Sequence, residues 1–105
     1  MHSFVTVCRV NEVPAGEGRG FVTEGHRVAI FHLKIKGLFG GERSRFYALA
    51  DSCTHAYAAL STGRTHGCRV MCPLHGAWFD IRTGRALTPP ATESARRYRV
   101  RVVGN

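Results

Sequence analysis

Residues 53–75 read CTHAYAALSTGRTHGCRVMCPLH, a run that holds Cys53, Cys68 and Cys72 together with His55, His66 and His75. Thiols and imidazoles crowded in this way point to a bound metal. Two pairs stand out by their spacing: Cys53-Thr54-His55 and Cys72-Pro73-Leu74-His75 form the pattern C-x-H-x16-C-x2-H. Each loop therefore offers one thiolate and one imidazole. A Cys2His2 set can hold zinc tetrahedrally, but structural zinc fingers usually draw like ligands from one loop or helix, as C-x2-4-C and H-x3-5-H. The mixed pairs suit a two-iron cluster with distinct ends, one iron taking both cysteines and the other both histidines.

The flanking sequence alternates apolar and polar residues between glycine-rich breaks, the pattern of short strands. Residues 3–10 (SFVTVCRV) read as a first strand, and residues 11–18 as a turn. Residues 19–23 and 26–35 read as a hairpin around Glu24-Gly25. Residues 36–44 (KGLFGGERS) form a polar, glycine-rich connection in which Leu38 and Phe39 either cover the core or touch a partner, core cover being the expectation. Strands are expected at residues 45–50, 68–71 and 77–81, with a turn at Arg82-Thr83-Gly84. A last strand over residues 96–103 would place Tyr98, Val100 and Val102 on one face. Arg97, Arg99 and Arg101 would form the opposite, polar face, which discourages edge pairing. No ten-residue segment has helical periodicity. The expected fold is an all-β sandwich or barrel of short antiparallel strands, with the ligand loops at strand ends.

The chain has 105 residues and no internal repeat or linker, so a single domain over residues 1–105 is expected. A domain this small gains from a metal centre, because binding free energy adds to folding free energy. Four cysteines without a secretory signal read as metal ligands or buried thiols before disulfides, and place the chain in the cytoplasm. No apolar run is long enough to span a bilayer, and no membrane partner is expected. The net charge is +8, carried mostly by 13 arginines spread from Arg9 to Arg101. Such a balance raises a nucleic-acid reading, yet the arginines are not clustered. An acidic protein partner explains the charge as well, and no nucleic-acid partner is expected.

The two boxes CTHAYAALSTG and CPLHGAWFDIRTGRAL, the lead-in RFYALADSC and the segment Thr88-Pro89-Pro90 closely resemble the Rieske [2Fe–2S] ferredoxins of bacterial ring-hydroxylating dioxygenase systems. The likeness covers roughly residues 3 to 103. It implies a Rieske-like β-sandwich with an inserted cluster-binding subdomain at about residues 50–90. By this likeness Cys53 and Cys72 hold the inner iron of one [2Fe–2S] cluster, His55 and His75 hold the outer iron, and Pro89 and Pro90 shield the cluster. Cys68 and His66 lie outside the motif. Cys68 is expected to face the core as a small hydrophobe, and His66 to sit at a loop tip. The connection at residues 36–44 is longer than the family's pattern suggests and would extend the hairpin away from the cluster.

The resemblance implies a one-electron carrier between a ferredoxin reductase and a terminal oxygenase of aromatic hydrocarbon catabolism, with no catalytic site of its own. High-potential relatives carry a disulfide between the ligand loops and Ser and Tyr hydroxyls against the cluster. The matching positions here are Ala58, Leu74, Ala77 and Phe79, so a low potential is expected. Family ferredoxins are commonly acidic, and this chain is basic. Acidic docking surfaces are therefore expected on its partners, met by Arg64, Arg69, Arg82 and Arg85 next to the ligand loops, with the carrier a monomer. Two other readings stay open: the small subunit of an assimilatory nitrite reductase, which shares the fold, and a zinc-stabilised nucleic-acid-binding module.

Overall fold

The computed structural model describes residues 3–54 and 58–104. Among them, seven strands form two antiparallel sheets. Strands β1 (Gly18–Thr23), β2 (His26–Lys36), β3 (Glu42–Ala50) and β7 (Arg97–Tyr98) make the first, in the order β1-β2-β3-β7. Strands β4 (Arg64–His66), β5 (Arg69–Met71) and β6 (Trp78–Asp80) make the second, in that order. Among the described residues, helix is confined to two single 3-10 turns, Val10–Glu12 and Leu60–Thr62. The all-β expectation holds.

The β1–β2 hairpin turns at Glu24 (φ 48°) and Gly25 (φ 78°), as the sequence suggests. Its strand β2 is buried on both faces, which simple alternation would not produce. Ala29, Phe31 and Leu33 face one core, while Val28 and Ile30 face another. A run of apolar residues in a central strand is the expected signature of two-sided burial. The larger core fills the space between the sheets. Leu49 joins the β2 residues from the first sheet, and Leu60, Val70, Phe79 and Ile81 meet them from the other side. Phe31 and Phe79 are completely buried there, and each contributes roughly 1.5–3 kcal/mol by leaving water.

The smaller core explains the first correction. Residues 3–9 form no strand among the described residues. Val7 and Cys8 instead lie against Val28, Ile30, Val13 and Ala48, so the segment covers the sheet's second face without joining its ladder. Its path ends in the Val10–Glu12 turn, where the Arg9 N–H donates to the Glu12 carboxylate at 2.7 Å. His32 helps to pin this layer. Its Nδ1 lies 2.7 Å from the Val13 carbonyl oxygen and its Nε2 2.9 Å from the Ser44 hydroxyl, and its ring stacks on Phe46 at 4.4 Å. A carbonyl oxygen only accepts, so Nδ1 carries a hydrogen. His32 is thus a structural residue.

Three further expectations change. The 36–44 connection is mostly strand: β2 runs to Lys36 and β3 starts at Glu42, with Lys36 opposite Glu42. Only residues 37–41 turn the chain, and Leu38 and Phe39 stand at the tip, 93% and 97% exposed. They cover no core, because the extended hairpin carries them past the edge of the domain. The last strand is shorter than expected, only Arg97–Tyr98 pairing with Leu49 and Ala48. Tyr98 and Val100 still pack inward, but Val102 is 52% exposed. His66 is the last residue of β4 before a turn at Gly67, a strand the sequence reading missed.

The sheet order places β3 beside β7, so residues 51–96 all leave and re-enter between neighbouring strands. The Ala50 N–H donates to the Arg96 carbonyl at 2.8 Å where they do so. The second sheet and both ligand loops lie in this stretch.

Candidate metal centre

Two loops of the intervening stretch carry the Cys–His pairs. The first follows β3, and the second joins β5 to β6. They close in the same way. The Cys53 N–H donates to the Ala58 carbonyl at 2.8 Å, and the Cys72 N–H donates to the Ala77 carbonyl at 2.7 Å. In each loop the cysteine bonds to the residue five positions on. In the second loop the chain between is thereby bent into a short arch with the cysteine at its root. In the second loop the Gly76 N–H also donates to the Cys72 carbonyl at 3.1 Å, and Gly76 takes φ 76°.

In the second loop this closure separates thiol and imidazole by depth. Cys53 and Cys72 are 3% and 0% exposed and belong to the large core, with Ala77 and Phe79. His75 is exposed on its arch, beside Leu74. His55 lies outside the described residues, and no group of three or more metal-binding side chains is found among those described. None of the four cysteines is in a disulfide. Ala58 and Leu74 could not form one.

Each loop is held from outside by polar groups. The Asp51 carboxylate, 5% exposed, accepts from the Ser61 N–H and the Ser61 hydroxyl, both at 2.7 Å. That bond ties the start of the first loop to the 3-10 turn that ends it. The Thr54 hydroxyl donates to the Glu93 carbonyl at 2.7 Å, joining the first loop to the chain beyond the prolines. Leu87 N–H donates to the Trp78 carbonyl at 2.8 Å, and Trp78 N–H donates to the Thr88 hydroxyl at 2.9 Å. These bonds seat Thr88 beside β6, and exposed Pro89 and Pro90 follow it, joined by a cis peptide. Buried Ala91 and Ala95 return the segment to the core that holds the thiols.

The sequence reading did not single out Asp51, Ser61 or Thr54. An acid at residue 51 and a serine at residue 61 carry no spacing signal, because the turn between them sets their distance.

Cys68 packs partly buried against the large core, as expected. His66 is exposed at the end of β4. Cys8 packs in the other core, and burial, helped by the Glu12 charge, pushes its thiol up. Arg64, Arg69, Arg82 and Arg85 are all exposed on the second sheet and the turn after it. Arg69 stacks on the Trp78 ring at 5.4 Å. Arg82 reaches the Asp80 carboxylate at 3.5 Å, and that hydrogen bond and charge raise it above its usual value. The pair is open to water and adds little stability.

Two antiparallel sheets with paired Cys–His loops define a class of small β proteins built around an iron–sulfur centre, and residues 3–99 match the Rieske [2Fe-2S] domain. The chain belongs to that family. It is 37% identical over 93 residues to the ferredoxin component of the naphthalene 1,2-dioxygenase system of Pseudomonas aeruginosa, covering 89% of this chain and 81% of the other. The ferredoxin of carbazole 1,9a-dioxygenase from Nocardioides aromaticivorans IC177 superposes with a TM-score of 0.81 at 29% identity, over 95% and 89% of the two chains. A ferredoxin in a complex of reduced oxygenase and oxidized ferredoxin, also of carbazole 1,9a-dioxygenase, gives 0.77 at 30% identity, over 94% and 84%. A putative small subunit of an NADPH nitrite reductase gives 0.73 at 26% identity, over 94% and 90%.

Proposed function

We propose that this protein is a one-electron carrier, holding one low-potential Rieske [2Fe–2S] cluster and passing electrons from a reductase to a terminal ring-hydroxylating oxygenase. The observation that supports this best is the matched closure of the two loops. It sets both thiols in the core and lifts His75 to the surface. Two thiolates and two imidazoles are the donor set such a cluster takes, and once bound it supplies reversible one-electron chemistry. On this reading Cys53 and Cys72 hold the buried end, His55 and His75 the exposed end, and the segment with Pro89 and Pro90 excludes water. The exposed His75 imidazole gives a partner close approach.

Shuttling fits the surface as well as the loops. Ferredoxin components of dioxygenase systems resemble this chain over most of its length, and one of the superposing ferredoxins is bound to its oxygenase. Arg64, Arg69, Arg82 and Arg85 would meet acidic surfaces on both partners, steering encounter at low salt. The carrier would act as a monomer in the cytoplasm, without a catalytic site of its own. Ala77 and Phe79 are fully buried with the thiols and bring no hydroxyl to them. That supports a potential near the lower end of the roughly −150 to +300 mV spanned by Rieske centres.

The test is an EPR spectrum of the dithionite-reduced protein with metal analysis. A rhombic signal of low average g with about two irons per chain is the expected result, and its loss in His55→Ala and His75→Ala assigns the outer ligands. A colourless protein containing zinc overturns the reading. The nitrite-reductase reading, raised by the superposition at 26% identity, predicts instead a stable complex with a large sirohaem subunit.

A further inference from the structure

The β2–β3 hairpin ends in a formed tip that the fold does not use. The Gly37 N–H donates to the Gly41 carbonyl at 2.6 Å, and the Gly40 N–H donates to the Gly37 carbonyl at 3.2 Å. Between these bonds Leu38 and Phe39 project side by side, 93% and 97% exposed. A single exposed hydrophobe is ordinary, but an adjacent aliphatic–aromatic pair on a convex tip marks a contact surface.

The charges behind the tip say what it contacts. Directly opposed residues on an antiparallel pair share a face. Ile35 opposes Arg43 and Leu33 opposes Arg45 on one face, while Lys34 opposes Ser44 and Lys36 opposes Glu42 on the other. All four cations are exposed, and none is in a salt bridge among the described residues. Two arginines thus flank the tip on one face and two lysines on the other, with Glu42 the one acid in the hairpin's outer half. Cations on both faces, just behind an apolar end, are satisfied together by anions that surround the finger. The headgroup layer of an anionic bilayer supplies such anions around an apolar interior.

The tip also points away from the candidate metal centre. β3 runs from Glu42, at the tip, to Ala50, which leads into the first ligand loop. Eight strand steps span roughly 26 Å. Attachment by the tip leaves the ligand loops open to a protein partner.

We propose that the tip at residues 37–41 is a peripheral membrane contact. Leu38 and Phe39 enter the headgroup boundary of an anionic bilayer, and Lys34, Lys36, Arg43 and Arg45 bind its phosphates. No spanning segment is needed, and the combination of a small apolar wedge with a basic collar gives reversible attachment.

The experiment is flotation of the cluster-loaded protein at near-physiological salt with vesicles of phosphatidylglycerol and phosphatidylcholine, or of phosphatidylcholine alone. The native protein floats with the anionic vesicles only. L38S/F39S leaves the net charge unchanged and lowers the partition coefficient about 100-fold. K36Q/R43Q lowers it about 25-fold, or about fivefold for each cation removed. Both variants alter exposed positions, and an unchanged visible spectrum verifies the fold. Failure of the native protein to float with anionic vesicles overturns the proposal. So does equal flotation of L38S/F39S, because the overall charge then suffices. If L38S/F39S floats normally but loses binding to its oxygenase or reductase, the tip is a protein contact and the proposal is wrong.

Discussion

The bond pair from Asp51 to Ser61 offers a direct test of what holds the first ligand loop. Asp51 is 5% exposed, and both its carboxylate oxygens are occupied, by the Ser61 N–H and hydroxyl at 2.7 Å. Hydrogen bonds to a charged group contribute about 1.5–3 kcal/mol each, and leaving the other partner buried adds a desolvation cost. Asp51→Ala breaks both bonds and should cost about 3 kcal/mol or more. Ser61→Ala breaks only the hydroxyl bond and should cost about 1.5 kcal/mol. Gly20→Ala tests the same place from the other side, since a Cβ at Gly20 would lie 2.6 Å from Asp51 Oδ2. The assay is urea-induced loss of the cluster's visible absorbance under anaerobic conditions. With a slope of about 1.5 kcal/mol per molar urea for a domain this size, Asp51→Ala should lower the midpoint by about 2 M and Ser61→Ala by about 1 M. The double variant should fall no lower than Asp51→Ala, because both changes act on one bond pair. Equal midpoints for Asp51→Ala and the native protein would refute the idea that this latch braces the loop.

Other outcomes follow from the same geometry. Gly84 has φ 81°, and a Cβ there would meet the Ala95 carbonyl oxygen. Gly84→Ala should therefore destabilise by about 2 kcal/mol or more, read as a lower thermal midpoint. Phe79→Tyr and Ala77→Ser place a hydroxyl in the core beside the thiols and should raise the midpoint potential in protein-film voltammetry; no change in either means that these side chains do not reach the sulfurs. Arg69→Glu combined with Arg85→Glu should slow reduction by the reductase about tenfold at low salt, and far less at high salt. Cys8, with its thiol pushed up by burial and Glu12, should label with iodoacetamide more slowly at pH 8 than a small free thiol, and faster as the pH rises; rapid labelling at pH 8 refutes that placement.

The hairpin at Glu24-Gly25 and the strand leading to Cys53 are legible because local chemistry decides them: a turn that needs positive φ and a period-two pattern. Other features depend on distant neighbours. Val28 and Ile30 alternate with Arg27 and Ala29 in the sequence, yet both faces of β2 are buried, one by the second sheet and the other by the N-terminal segment with Val7 and Cys8. Whether SFVTVCRV pairs as a strand or lies flat on one depends on the hydrogen-bonding groups that β1 and β7 leave open, which local pattern does not encode. Leu38 and Phe39 mislead for the opposite reason, since apolar character suggests burial until the register carries them past the core. At the candidate site, the Cys–His spacing is legible because each pair is local in sequence. The Asp51–Ser61 and Thr54–Glu93 bonds are not, since they join residues that only the finished loops bring together.

The adjacency of β3 and β7 has a kinetic meaning. Seen from the first sheet, residues 51–96 are one excursion of 46 residues, closed by the pairing of Ala48 with Tyr98 and Leu49 with Arg97. Closing a loop of that length costs about 3.4 kcal/mol in chain entropy, apart from a constant. Two residue pairs are slender recompense, so the closure relies on the order of the excursion and on its packing against the first sheet. A loss of order at the ligand loops should therefore be felt first at the far end of the chain. In hydrogen exchange, the amides of Arg97 and Tyr98 would lose protection before those of β2, so the C-terminal strand would report the state of a centre to which it contributes no ligand.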